Sequence, residues 1–229
     1  MELLGRIRRF AIIVSALLAI GFAGGCGGGG GGVSVSTQNL RSFDPNYIPD
    51  LKSLTHWDAF PVKVYFAPGP ESTQHRQDLA VSGMSQWNGG TDGLVKFEVT
   101  KDPAAAQVTV EFVQSLDGTL IGWTTWNYDG SGNIRDADTK IGVKGLEDSD
   151  IEWVAAHEFG HALGLDGHSK LDTDVMFASH VLGSAWDLTT RDENTVKSDY
   201  ASMLGGSKAP GRAVIWGPMF TSEAKCYRP

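Results

Sequence analysis

Cysteine is nearly absent from this 229-residue chain: Cys26 and Cys226 are the only two. Positive charge is also scarce, with 19 Lys and Arg against 27 Asp and Glu and a formal net charge of −8. That balance argues against binding nucleic acid or an anionic membrane through a basic surface. No apolar run is long enough to cross a bilayer. Phe10 to Phe22 gives 13 residues, where a spanning helix needs about 20. No segment repeats. Apolar side chains are plentiful, and seven Trp and ten Phe can build one core of ordinary size.

The N-terminus reads as an export leader. Arg6, Arg8 and Arg9 precede the short apolar run, which ends at Ala23-Gly24-Gly25-Cys26 and six glycines, Gly27 to Gly32. Small residues before a Cys, followed by a flexible tether, resemble a bacterial lipoprotein signal, with Ala23 where Leu is usual. The resemblance implies a lipid on Cys26, a membrane contact through it, and a cell-envelope or extracellular location. Cys226 then has no partner, and no internal disulfide is expected. Residues 1–25 hold Glu2 and three arginines, so the remainder carries 16 basic against 26 acidic side chains, a formal charge of −10. This favours solubility and is compatible with divalent-cation binding. Residues 26–53 read as a Gly/Ser-rich tether, 54–205 as the folded domain of a monomer, and 206–229 as a short C-terminal tail.

The chemistry is concentrated in His157-Glu158-Phe-Gly-His161-Ala-Leu-Gly164-Leu-Asp-Gly167-His168. On a helix, His157 and His161 project from one face and can share a metal. Glu158 stands beside them as a candidate general base. Gly164 can take positive φ and end the helix. The turn that follows can bring His168 round as a third nitrogen ligand. Three protein ligands to zinc leave one tetrahedral position open, the pattern of a catalytic site. Asp166 is the rival third ligand, with a shorter side chain close to the helix end. Met176 lies eight residues past His168.

A helix carrying HExxH, a glycine turn, a third His and a downstream Met together resemble the metzincin metallopeptidases. Within them the chain is most similar to the matrixins, through His-Ala-Leu-Gly-Leu, His168-Ser169 and the spacing to Met176. It departs at one point: three residues, not two, separate Gly164 from His168. Asp166-Gly167 is a turn-prone pair able to absorb the extra residue. The resemblance covers roughly residues 57–204. It implies an α+β fold with a twisted mixed sheet, a buried active-site helix, a Met-turn and a C-terminal helix. It also implies a zinc endopeptidase acting on proteins or peptides, with Glu158 catalytic. The Pro-Arg-Cys-Gly segment that keeps many matrixins latent is absent. Matrixins often hold calcium near the region of Asp129-Gly-Ser-Gly-Asn133, Asp136 and Asp138, although the oxygen spacing here matches no defined calcium loop.

The elements follow from periodicity. Pro61–Phe66, Val95–Val99, Val108–Val113 and Thr139–Val143 read as strands, and Thr73–Trp87 as a helix stopped by Asn88-Gly89-Gly90. Residues 115–135 read as a long loop with an irregular strand through Ile121–Trp126. Ser149 and Glu152 form a capping box for the active-site helix, and Thr190 and Glu193 one for the last helix. Leu188, Asp192 and Tyr200 match the final matrixin helix in spacing. His180 reads as a surface residue or, being close to the Met-turn, as one lining the substrate cleft, and Trp123 and Trp126 as either a cleft edge or loop anchors. A thiolate from Cys226 could cap the zinc, but nothing in the sequence brings the tail there. Two competing functions stand beside the peptidase. One is a surface-anchored binding module with little or no activity, which the presence of Glu158 argues against. The other is an HExxH peptidase with Glu193 as third ligand, which Gly164 and Met176 argue against.

Overall fold

The computed structural model describes residues 43–184, 187–200 and 218–228. The leader, Cys26 and most of the tether lie outside the described residues. In chain order the strands are β1 (Ser53–Leu54), β2 (Val62–Phe66), β3 (Phe97–Val99), β4 (Val108–Val113), β5 (Leu120–Asp129), β6 (Ile134–Gly142), β7 (Leu165–Asp166) and β8 (Met219–Tyr227). The helices are α1 (Gln74–Gly90), α2 (Asp148–Ala162) and α3 (Thr190–Asp199). The fold is α+β.

Six strands form one mixed sheet in the order β3-β2-β4-β6-β5-β8, and β1 pairs with β7 in a separate two-stranded sheet. The β2–β3, β2–β4 and β4–β6 pairs are parallel, whereas β5 runs antiparallel to both β6 and β8. Val62, Val64 and Phe66 face inward from β2, as their alternation dictates.

Two segments depart from the sequence reading. The long loop expected at 115–135 is largely a hairpin of β5 and β6, turned at Asp129–Asn133, and the irregular strand expected through Ile121–Trp126 lies within β5. The inward positions of β5 include Gly122 and Thr124 beside Trp126. Their small or polar side chains hide the alternation that marks a strand. The expected C-terminal tail contributes β8, which forms a nine-residue antiparallel ladder with the outer edge of β5. Only Ala224 and Cys226 of β8 are buried, too weak a pattern to read as a strand.

Helix α2 is buried on nearly every side. It packs on α1 at Gly83, where any side chain would run into the α2 backbone at Glu152 and Ala156. Trp87 of α1 donates its indole N–H to the Ala156 carbonyl at 2.7 Å. At the other end of α2 the carbonyls have no intrahelical partner. The Trp57 indole takes the Ala162 carbonyl at 2.8 Å, and the Tyr200 hydroxyl takes that of Leu163 at 2.8 Å. Tyr200, at the end of α3, thus fixes where α2 stops.

Both capping boxes differ from those read in the sequence. Helix α2 begins after Glu147, whose backbone N–H is held by Asp150 at 2.9 Å, and not at Ser149. Helix α3 is capped by Thr189 with Asp192, one residue before the expected pair. In each case the buried Asp has a second task elsewhere, which selects the register.

Candidate active site

His157, Glu158 and His161 sit on α2 with no solvent exposure. A polar group buried this deeply needs a partner. The Nδ1–H of His157 donates to the Val175 carbonyl at 2.7 Å, and that of His161 to the Leu165 carbonyl at 2.7 Å. Both bonds place the ring proton on Nδ1 and leave Nε2 as a bare acceptor. The two Nε2 atoms face each other at 3.0 Å. Two lone pairs at that distance have no proton to share, and a cation between them resolves the conflict. His168 completes the set. Its Nε2 is buried without a partner among the described residues. One nitrogen from each of the three rings lies within 4.8 Å of the others. Three imidazoles, two of them anchored through their second nitrogens, suit a tetrahedral zinc.

The turn between α2 and His168 depends on glycine. Gly164 has φ +98°, and a side chain there would collide with the Thr55 carbonyl. Leu165 and Asp166 then pair with β1, and Gly167, at φ +129°, redirects the chain to His168. The residue beyond the usual spacing is accommodated in this stretch. Asp166 does not join the cluster. Its carboxylate accepts from Ser53 at 3.1 Å and Ser222 at 3.3 Å, with Lys52 nearby at 3.8 Å. Glu193 lies apart as well, 3.8 Å from Lys197 on α3.

The Met-turn forms the floor. Met176 is fully buried against Gly160, where even a methyl group would overlap its sulfur. The turn is held from below by Asp192, which accepts from Val175 N–H at 3.0 Å and Met176 N–H at 3.4 Å. Asp192 also accepts from the Tyr47 hydroxyl at 2.9 Å. Because the Val175 carbonyl orients His157, Asp192 positions that ring through one peptide unit.

Glu158 accepts a 2.6 Å hydrogen bond from Thr124 at Oε2. Its Oε1 is buried without a partner among the described residues. Burial pushes its pKa up to about 8, partly opposed by the Thr124 bond. Burial also holds the histidines neutral, His161 lowered to about 3 and His168 to about 4, with His157 well below its ordinary value. A third group also reaches this space. Cys226 Sγ lies within 4.8 Å of a His157 nitrogen and a Glu158 oxygen. The Cys226 thiol is raised well above its ordinary value by burial and then by Glu158. Nothing in the sequence points to Thr124 or Gly122 as neighbours of the site. Cys226 reads there only as a thiol that no sequence feature brings to the zinc, and Asp192 only as a position of the last helix.

Several other expectations resolve plainly. His180 is buried, not on the surface. It hydrogen-bonds Asp150 at 2.9 Å and stacks on Trp153 with ring centres 4.1 Å apart. Asp150 also accepts from Gly183 N–H at 2.7 Å, which ties the segment after the Met-turn to the start of α2. Trp126 is inside, donating to Thr55 at 2.9 Å and stacked near His161. Trp123 alternates to the other side of β5, lining a 300 Å³ concavity with Glu111, Asp138 and Lys140, away from the histidines. The Asp129 carboxylate is engaged by the backbone N–H groups of Ser131 and Asn133 and by Arg135. His56 pairs by its backbone with the hairpin turn at Gly132, and His75 meets Asp148 at an exposed site.

A mixed sheet over a buried HExxH helix, a glycine turn to a third histidine and a Met-turn beneath them define a metzincin-type fold. The matrixin (peptidase M10) family profile matches residues 67–201, more than half of the sequence, and the chain belongs to that family. It is also similar to a "Probable matrix metalloproteinase 095L" of Invertebrate iridescent virus 3, at 26% identity over 153 residues. That match covers 58% of this chain and 39% of the relative's length. The family is one of metallopeptidases that typically use zinc.

Proposed function

We propose that the protein is an exported zinc endopeptidase in which His157, His161 and His168 hold the metal and Glu158 is the general base. The facing Nε2 atoms of His157 and His161, 3.0 Å apart with both protons committed elsewhere, carry the reading. When bound, zinc supplies Lewis acidity toward water and the scissile carbonyl. The rest falls to the chain's own residues. Thr124 holds one oxygen of Glu158 and leaves Oε1 free to accept a proton from water. Glu158 then returns that proton to the leaving amine. Burial raises its pKa to about 8 in the metal-free chain, and a nearby cation would draw it back toward neutrality, where a group can both take and give a proton. A peptide would lie along the β5 edge by strand addition, with residues 178–180 as the opposite wall.

Export rests on the leader's pattern, and anchoring on Cys26. Loss of the protein from the membrane fraction in Cys26→Ser would support the anchor, and unchanged fractionation would remove it. The competing reading, a binding module with little activity, draws on β8 lying along the substrate edge of β5. The open oxygen of Glu158 argues against it, since a merely structural zinc site has no use for a buried, unpaired carboxylate.

Metal analysis tests the centre. In a Cys226→Ala background, which removes the neighbouring thiol, the purified chain should carry one zinc, His168→Ala should lose it, and Asp166→Ala should keep it. Removing one of three ligands forfeits much of a structural zinc's binding free energy, on the order of 10 kcal/mol in all. Zinc that survives His168→Ala, or leaves with Asp166→Ala, would reassign the third ligand.

A further inference from the structure

We infer that β8 occupies the peptide cleft of its own chain, with Cys226 as a fourth ligand to the metal, so that the protein is held latent by its C-terminal strand. This rests on the zinc-peptidase reading above.

The path of the strand is the first observation. β8 runs antiparallel along β5 from Asp129–Met219 to Leu120–Tyr227. At its end it is also gripped from the other side. Tyr227 N–H donates to the Ala178 carbonyl at 3.1 Å, and His180 N–H donates to the Tyr227 carbonyl at 3.0 Å. Ser179 and Tyr227 form a parallel bridge. Arg228 N–H closes onto the Thr119 carbonyl at 2.9 Å. The main chain at Tyr227 is therefore hydrogen-bonded between the sheet edge and the segment after the Met-turn. Those are the two walls an extended substrate would use. While β8 is there, no other peptide can add to β5.

The direction of the side chain is the second. Residues directly opposite in a ladder project to the same face. Gly122 is opposite Cys226, and a Cβ on Gly122 would land on the Glu158 carboxylate. Cys226 therefore projects toward Glu158 and the histidines, where it is fully buried. A register shift between Leu120 and Gly122 lies beside the pair. Bulges of this kind re-aim side chains near active sites.

The third observation is independent of the cysteine. Glu158 Oε1 and His168 Nε2 both lack partners among the described residues, and both are buried beneath the strand's end. Cys226 Sγ enters the space beside the unpaired Glu158 carboxylate, within 4.8 Å of one of its oxygens and of a His157 nitrogen. A metal held by the three histidines would meet the Cys226 thiol as a candidate fourth donor. Thiolate is among zinc's preferred ligands, bonding at about 2.3 Å. Were Sγ to bind a metal there, its thiol proton would pass to Glu158, and on release Glu158 would return that proton to the thiolate. With Cys226 in place, the position needed by the attacking water is filled and Glu158 has nothing to activate.

The test uses the full chain and its Cys226→Ala variant, each loaded with cobalt(II) and, separately, with zinc. Cobalt bound by a thiolate shows a sulfur-to-metal charge-transfer band in the near ultraviolet. The wild type should show it and Cys226→Ala should not, at equal metal content. The zinc forms are then compared on unfolded casein. If the open form is about a tenth of the population or less, Cys226→Ala should be at least about tenfold more active. Thermal unfolding of both forms checks that the variant is folded. A wild type with full cobalt and no band would overturn the ligation. A band that disappears as expected, with the wild type as active as the variant, would overturn latency. A band that disappears while neither form cleaves casein would overturn the thiol as the latch, because β8 still pairs with β5 through its main chain. The peptidase reading fails as well only if Cys226→Ala combined with Ala224→Pro, which breaks that ladder, is also inactive.

Discussion

Gly122 and Glu158 share one space: a methyl group on Gly122 would sit on the Glu158 carboxylate. The glycine is on β5, the glutamate on α2, and the absence of one side chain makes room for the other. Gly122→Ala should therefore displace the carboxylate while the three histidines stay in place. Turnover should fall about 100-fold, the cost of roughly an ångström of misplacement at a reacting group. Zinc content should be unchanged. The measurement is casein cleavage with metal analysis in the Cys226→Ala background, which removes the capping thiol. An alanine variant as active as its parent would show that Glu158 has slack.

Glu158→Gln removes the base but keeps the size and the Thr124 contact. In the same background it should bind zinc normally and lose about 10² to 10⁴ in turnover. The contrast with Gly122→Ala is informative. Both spare the metal, but only the glutamine cannot accept a proton in any position. A glutamine variant retaining most activity would mean that another group serves as base.

Asp192 lies beneath the site and touches no metal ligand, yet it holds Val175, Met176, Tyr47 and Thr189 together. Asp192→Ala leaves several buried donors without an acceptor. A loss on the order of 3 kcal/mol follows if two or more remain unpaired. Because the Val175 carbonyl orients His157, zinc affinity should fall with it. Asp192→Asn keeps one acceptor and should cost less on both counts. Urea unfolding and zinc titration of the two variants measure this, and equal costs for both would remove the link from Asp192 to His157.

The parts of the fold and site that were legible in the sequence share one property: their chemistry is local. His157, Glu158 and His161 lie within one and a half helical turns, and Gly164 and Met176 stand at fixed distances along the chain. The strands of the inner sheet were visible because Val62, Val64, Val108 and Val110 alternate. β5 was legible only as an irregular strand through Ile121–Trp126, because its inward positions serve the site. Gly122 yields to a carboxylate and Thr124 bonds it, so neither is the aliphatic residue that signals a strand. β8 escaped notice for a related reason. Its inward residues, Ala224 and Cys226, are small, and its stability comes from main-chain pairing with a strand about 100 positions earlier. No window of sequence contains both partners. His180 was misread because its partner, Asp150, is 30 residues away and carries no motif.

The metal-free protein should show a stability maximum near pH 6.5, with one limb from the histidines and the other from buried carboxylates. Burial lowers His161 from 6.5 to about 3 and His168 from 6.5 to about 4, and His157 moves the same way. Below pH 6.5 the unfolded chain takes up protons that the folded chain refuses. Stability therefore falls as the pH drops from about 6.5 toward the folded values. His56 and His180, shifted in the same direction, add to this limb. Glu158 is displaced in the opposite sense, from 4.5 to about 8, and Asp199 from 3.8 to about 8, both by burial. Between those values the folded chain keeps protons that the unfolded chain releases. Their effect is to reduce stability as the pH rises toward 8. From pH 4.5 to 6.5 the histidines outnumber the carboxylates, so the net slope is upward; above 6.5 only the carboxylates act. Thermal unfolding after chelation, from pH 4 to pH 8.5, should trace a rise and then a fall. Glu158→Gln should make the alkaline limb shallower, leaving the share of Asp199, and should steepen the acid limb above pH 4.5, where Glu158 opposes the histidines. A metal-free protein whose melting temperature climbs steadily through pH 8 would show that Glu158 is already ionised in the folded state, and the buried carboxyl would not then be held near neutrality for proton transfer.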